Sequence, residues 1–88
     1  MLIKKLIILN KLGLHARASM KLINLAARFQ SSVVIRYQEY EADAKDIINV
    51  MALGAAQGSE IELITSGADE NSAMEKISEL INNRFGES

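Results

Sequence analysis

Apolar positions in this chain follow two periods, and the switches between them mark its elements. Residues 2–9 are rich in Leu and Ile and form a short run, which suits a strand with Leu6 and Ile8 on its core face. Asn10-Lys11-Leu12-Gly13 turns the chain, and the spacing then becomes helical over residues 16–29. Ser19, Leu22, Ile23, Ala26 and Phe29 make one stripe able to cover a sheet. A second stripe, Ala16, Met20, Asn24 and Ala27, lies off it, and its Met20 suits a partner-docking surface as well as it suits core filling.

Ser31 and Ser32 break that helix, and Val33-Val34-Ile35-Arg36-Tyr37 is β-rich. After a short link at Gln38-Glu39, Tyr40-Glu41-Ala42-Asp43-Ala44 reads as an edge strand closing a hairpin. Residues 45–53 are helical, with Asp46 as the cap. Their apolar positions cover more faces than a short helix can bury, so Ile47, Ile48 and Met51 are expected at the surface, the alternative being a helix central to the core. Glu60-Ile61-Glu62-Leu63-Ile64-Thr65 begins with alternation that turns Ile61 and Leu63 inward. Asp69 then reads as a cap, Glu70 favours a helix start, and Met74, Ile77, Leu80, Ile81 and Arg84 or Phe85 keep helical spacing to a stop at Gly86. The order βαββαβα, with no linker or repeat, predicts one α+β domain over 1–88, an antiparallel sheet covered on one face by helices.

Composition narrows the function. The 88 residues carry a formal net charge of −1, which argues against a nucleic-acid footprint and favours protein or small-molecule partners. No cysteine is present, so disulfides and thiolate zinc sites are excluded, and with a single histidine no metal site is expected. Lys4 and Lys5 ahead of Leu6-Ile7-Ile8-Leu9, followed by Ala16-Arg17-Ala18, mimic a signal peptide. The apolar run is shorter than the roughly 7–15 residues of a signal core, and nothing approaches the ~20 of a membrane span, so a cytoplasmic protein is expected.

The one histidine, His15, sits at the joint between the first strand and the first helix. The first N–H groups of a helix lack intrahelical partners and carry the positive end of its dipole, so an anion there is stabilised. A phosphoryl group on a His15 ring nitrogen would face the N–H groups of Ala16 and Arg17, with the Arg17 guanidinium adding a permanent cation. Gly13 supplies backbone freedom beside this point, either for close approach to an anion or simply for the turn. Taken alone, these residues describe a surface histidine or an imperfect cap near a helix start better than they describe a phosphoryl site.

The stretch Gly13-Leu14-His15-Ala16-Arg17 resembles the active-site signature of the HPr family, the histidine-containing phosphocarriers of the bacterial phosphotransferase system. Ala18 stands where that family usually has proline, a change that should cost rigidity more than structure. The resemblance extends to the length, the element spacing and the last helix. It implies an open-faced β-sandwich with strands in order 1-4-2-3 and three helices on one face. It implies a monomeric carrier without cofactor, more relay substrate than enzyme. In that reading His15 accepts a phosphoryl group from phosphorylated enzyme I and passes it to a IIA domain, in sugar uptake or the nitrogen-related regulatory branch. Arg17 orients the group, and Met20, Asn24, Ala27, Ile47, Ile48 and Met51 form the docking surface. Asp46 occupies the place where many Gram-positive relatives carry a serine phosphorylated by a dedicated kinase. Lacking a hydroxyl, it excludes that regulation and sets a fixed charge there.

Two other classes fit parts of the pattern. A regulatory βαββαβ domain would use the Gly13 loop to bind a small effector. A hydrolase with His15 as general base would need an activated nucleophile, and Ser19 is the only hydroxyl close in sequence.

Overall fold

The structure, a computed structural model, describes residues 1–87. Strands β1 (Leu2–Ile7), β2 (Ser32–Tyr37), β3 (Tyr40–Asp43) and β4 (Glu60–Ser66) alternate with helices α1 (Ala16–Ala26), α2 (Ile47–Ala52) and α3 (Glu70–Asn82), and a 3-10 turn (Arg84–Gly86) follows. The sheet is antiparallel in order β1-β4-β2-β3, the expected open-faced sandwich.

Alternation explains which face the helices cover. Leu6 of β1 pairs with Ile61 of β4, and Ile35 of β2 pairs with Leu63, so these side chains share one face. Leu22 and Ala26 of α1, Val50 of α2 and Ala73, Ile77 and Ile81 of α3 are buried with them in a single core. On the open face Ile64 lies between Ile3 and Val34, and Arg36 pairs with Glu41 at 2.7 Å and Glu62 at 3.2 Å. That face is therefore apolar at one end and charged at the other.

Element ends depart from expectation where backbone groups find partners outside their own element. Helix α1 stops at Ala26, and Phe29 lies half-buried beyond it in the turn before β2. Ala18, off the expected stripe, is fully buried, while Ile23 is only half-buried. Strand β3 stops at Asp43, whose carboxylate accepts the Lys45 N–H, while buried Ala44 donates its N–H to Val33 O. Asp69 is not a side-chain cap of α3. Its carboxylate accepts the N–H groups of Gln30 and Ser31, both at 2.9 Å, and the Ser31 hydroxyl, which with these bonds holds its pKa down to about 2. Asp69 thus ties the start of α3 to the entry of β2.

The largest correction is at the far end of α3. Helical spacing was expected to run on to Gly86, but α3 ends at Asn82, and both Arg84 and Phe85 take left-handed φ. Two such residues cost about 1–2 kcal/mol each. Burial of Phe85, which is fully enclosed, contributes about 1.5–3 kcal/mol and offsets much of that. A continued helix would have carried the chain away from the core; the break folds it back over α1.

Candidate functional site

The turn before α1 is held from two sides. Gly13 has φ +66°, and a Cβ there would come within 2.6 Å of Ala55 O and 2.8 Å of Ala56 Cα. The glycine is demanded by the turn and by the loop packed on it, so its freedom serves packing and not approach to an anion. Leu14 N–H donates to the same Ala55 O at 2.9 Å. Asn10, fully buried, donates from Nδ2 to Gly13 O at 2.7 Å and to Glu87 Oε1 at 3.1 Å. Rotating the amide would set its oxygen against two acceptors, so the orientation is fixed even though Oδ1 is buried without a partner.

His15 follows in an extended conformation as the N-cap of α1. Its Nδ1 accepts the Arg17 N–H at 3.3 Å, and its Nε2 lies 2.6 Å from Glu87 Oε2. Burial pushes the Glu87 carboxyl up, and the hydrogen bonds from Asn10 and His15 together with the nearby Lys21 charge outweigh it, leaving the group below the usual carboxylate range. An ionised carboxylate only accepts, so Nε2 carries the proton and Nδ1 the lone pair. Among the described residues the N–H groups of Ala16 and Ala18 make no hydrogen bond, and the Arg17 side chain makes no ion pair. Lys11, Leu12, Arg17, Lys21 and Glu87 line an open cleft around the ring. The site therefore presents one free imidazole nitrogen, unpaired helix N–H groups and three cations. That is an arrangement for receiving a doubly charged oxyanion reversibly.

Ser19 is buried, and its hydroxyl donates to Leu14 O at 3.2 Å, so it is no nucleophile for a hydrolase. Among the residues singled out for docking, Met20, Ile48 and Met51 are 46%, 74% and 42% exposed, and Asn24 and Ala27 are exposed beside them. Ile47 differs from expectation, since it is half-buried, turned partly inward because the cap at Asp46 fixes the first turn of α2. Leu12, 70% exposed at the cleft edge, belongs with the exposed set and reads in sequence only as a turn residue.

Residues 3–83 match a family model described as the PTS HPr component phosphorylation site. The chain belongs to the HPr family. Phosphocarrier protein HPr of Xylella fastidiosa is 47% identical over 99% of this chain and 98% of its own length. That of Cupriavidus necator is 52% identical over 91% and 90%. The crystal structure of HPr from Thermoanaerobacter tengcongensis superposes with a TM-score of 0.96 at 34% identity, covering 100% of this chain and 99% of that one. The single histidine of the chain, His15, is the N-cap of α1. Asp46, the other position the resemblance singled out, is exposed and caps α2, accepting the N–H groups of Ile48 at 3.0 Å and Asn49 at 3.2 Å. Nothing in the sequence marks Glu87, which reaches His15 across 72 residues. The only local signal is a Phe-Gly pair directly after a helix.

Proposed function

We propose that the protein is a cytoplasmic, monomeric phosphocarrier in which His15 Nδ1 accepts a phosphoryl group from phosphorylated enzyme I and delivers it to a IIA domain. The observation that carries the reading is the N-cap geometry of His15. With Nε2 committed to Glu87, the nitrogen left with a lone pair is the one facing the start of α1. In the transfer that lone pair forms the N–P bond while the bond from phosphorus to the donor breaks, its electron pair leaving on the donor. The new phosphoryl group displaces the weak Arg17 N–H contact with Nδ1 and takes up the N–H groups of Ala16 and Arg17 instead. Arg17, free of other partners among the described residues, swings in to balance charge and orient the group.

A carrier must hold its cargo near the free energy of both donor and acceptor, so a few N–H groups and one mobile guanidinium suit it better than a closed site. Met20, Asn24 and Ala27 on α1 with Ile48 and Met51 on α2, and the exposed edge of Ile47, form the docking surface. Phosphoenolpyruvate with purified enzyme I is expected to load one acid-labile, base-stable phosphate on the wild type and none on His15→Ala. A wild type that remains unlabelled sinks the reading.

A further inference from the structure

The segment after α3 is organised around one carboxylate. Arg84, Phe85 and Gly86 take successive left-handed φ values of 55°, 54° and 75°, a backbone region that L side chains avoid. These turns reverse the chain off the end of α3. Phe85 is locked in the core, Lys21 Nζ donates to Phe85 O at 2.6 Å, and Glu87 N–H donates to Arg84 O at 2.9 Å. Glu87 thereby arrives at the start of α1 with its two oxygens divided: Oε1 accepts from buried Asn10 and Oε2 faces His15 Nε2. Asn10 leaves its own oxygen unpaired in this arrangement, so both of its N–H groups serve the loop and the carboxylate.

We infer that Glu87 is a positioning residue for phosphoryl transfer, its carboxylate holding the proton on His15 Nε2 so that Nδ1 attacks with its lone pair and later departs as part of a neutral imidazole. The inference rests on the carrier reading above. When the ring accepts, the Nδ1 lone pair forms the N–P bond and the ring becomes cationic, with its Nε2 proton against the Glu87 carboxylate. When it donates, the N–P electron pair returns to Nδ1 as phosphorus bonds to the acceptor, and the proton stays on Nε2 throughout. A ring that had lost that proton would have to leave as imidazolate, a much poorer leaving group. The two ring nitrogens point in opposite directions, so the carboxylate steadies the cation while standing away from the dianion. Lys11, Arg17 and Lys21 from the turn and α1 complete the charges around the ring.

The test compares wild type, Glu87→Ala, Glu87→Gln and Glu87→Asp. Proton–nitrogen correlation spectra of the neutral His15 ring should show a downfield, slowly exchanging Nε2 proton in the wild type. That signal should disappear in Glu87→Ala and weaken in Glu87→Gln. With enzyme I as donor, kcat/KM of Glu87→Ala should fall roughly tenfold, the loss lying in kcat while KM holds because the docking residues are untouched. Glu87→Asp should recover part of the loss, and urea midpoints should stay close together, as a structural role alone would not predict. Wild-type kinetics in Glu87→Ala, faster transfer, or an Nε2 proton that ignores the substitution overturns the role of Glu87 and leaves the carrier reading standing. A wild type that takes no phosphoryl group overturns both.

Discussion

Two helices of this HPr begin in similar ways and to different ends. At α2 the Asp46 carboxylate accepts two N–H groups, at 3.0 and 3.2 Å. At α1 the His15 ring accepts one, at 3.3 Å, while N–H groups on either side of it stay unpaired among the described residues. The first is a permanent anion that satisfies its helix. The second is a neutral group that under-satisfies its helix and is held on its far edge by a carboxylate 2.6 Å away. A locked cap stabilises a helix, whereas a loose one leaves its start open to an incoming phosphoryl group. On the proposed carrier reading, the same N-terminal physics serves stability at one place and exchange at the other.

Separating the far-edge support from the caps themselves gives the largest expected effect. Phe85→Ala removes a fully buried aromatic ring, and such truncations cost about 3–5 kcal/mol. Against the roughly 5–15 kcal/mol that holds a domain together, this leaves a marginal protein. The damage should include His15, because Phe85 anchors the turn that carries Glu87, and should spare Asp46. Urea unfolding measures the first, and the His15 and Asp46 neighbourhoods in an amide correlation spectrum measure the second. A loss below about 1 kcal/mol would mean that the left-handed turn is held by something other than core burial.

Exchanging the caps sharpens the contrast at smaller cost. Asp46→Ala should lose about 1 kcal/mol, the usual value of a good N-cap, and Asp46→Ser should lose only a few tenths because a hydroxyl also accepts there. His15→Ala should cost about 0.5 kcal/mol or less, since its single cap bond is long. Thermal melts of the three proteins give the order. If the histidine variant is the least stable, the His15 cap is structural and the comparison fails.

Legibility in the sequence followed the range of each interaction. The four strands, the inward set Leu6, Ile8, Ile61 and Leu63, and the Asp46 cap depend on residues a few positions apart, and period or cap chemistry shows them directly. His15 and Arg17 were legible as a charged joint at a helix start, and resemblance gave the joint a chemistry. Asp69 reads as a cap in sequence, but its carboxylate serves Gln30 and Ser31 across the fold, and an aspartate ahead of a helix looks the same whichever N–H groups it accepts. Phe85 is legible as a packing position but not as the anchor of a reversed turn, and Glu87 is not legible at all, because two left-handed non-glycine residues go against local propensity and only burial of the Phe85 ring makes them stable. Ile47 was placed too far outward because a six-residue helix has too few turns to define a face.

The mildest predicted change concerns Ala18, in a chain without a single proline. Its N–H is the third at the start of α1 and makes no hydrogen bond among the described residues; because the residue is fully buried, it would act on a phosphoryl group at Nδ1 through the positive end of the helix and not by direct contact. A proline there removes that donor and fixes φ at a helical value, which the first turn tolerates. The two consequences have opposite signs. Restricting the unfolded chain should raise stability by about 0.4–1 kcal/mol. Losing one N–H at the positive end of the helix should lower the phosphorylated fraction at equilibrium with enzyme I by roughly two- to fivefold. Melting temperature and labelled fraction of Ala18→Pro measure the pair. A variant that is more stable and equally phosphorylated would show that Ala16 and Arg17 hold the phosphoryl group alone; a variant that is less stable would show that the buried Ala18 pocket has no room for the ring. A rise in one with a fall in the other would mean that alanine at this position gives a softer first turn and a stronger positive helix end than proline would.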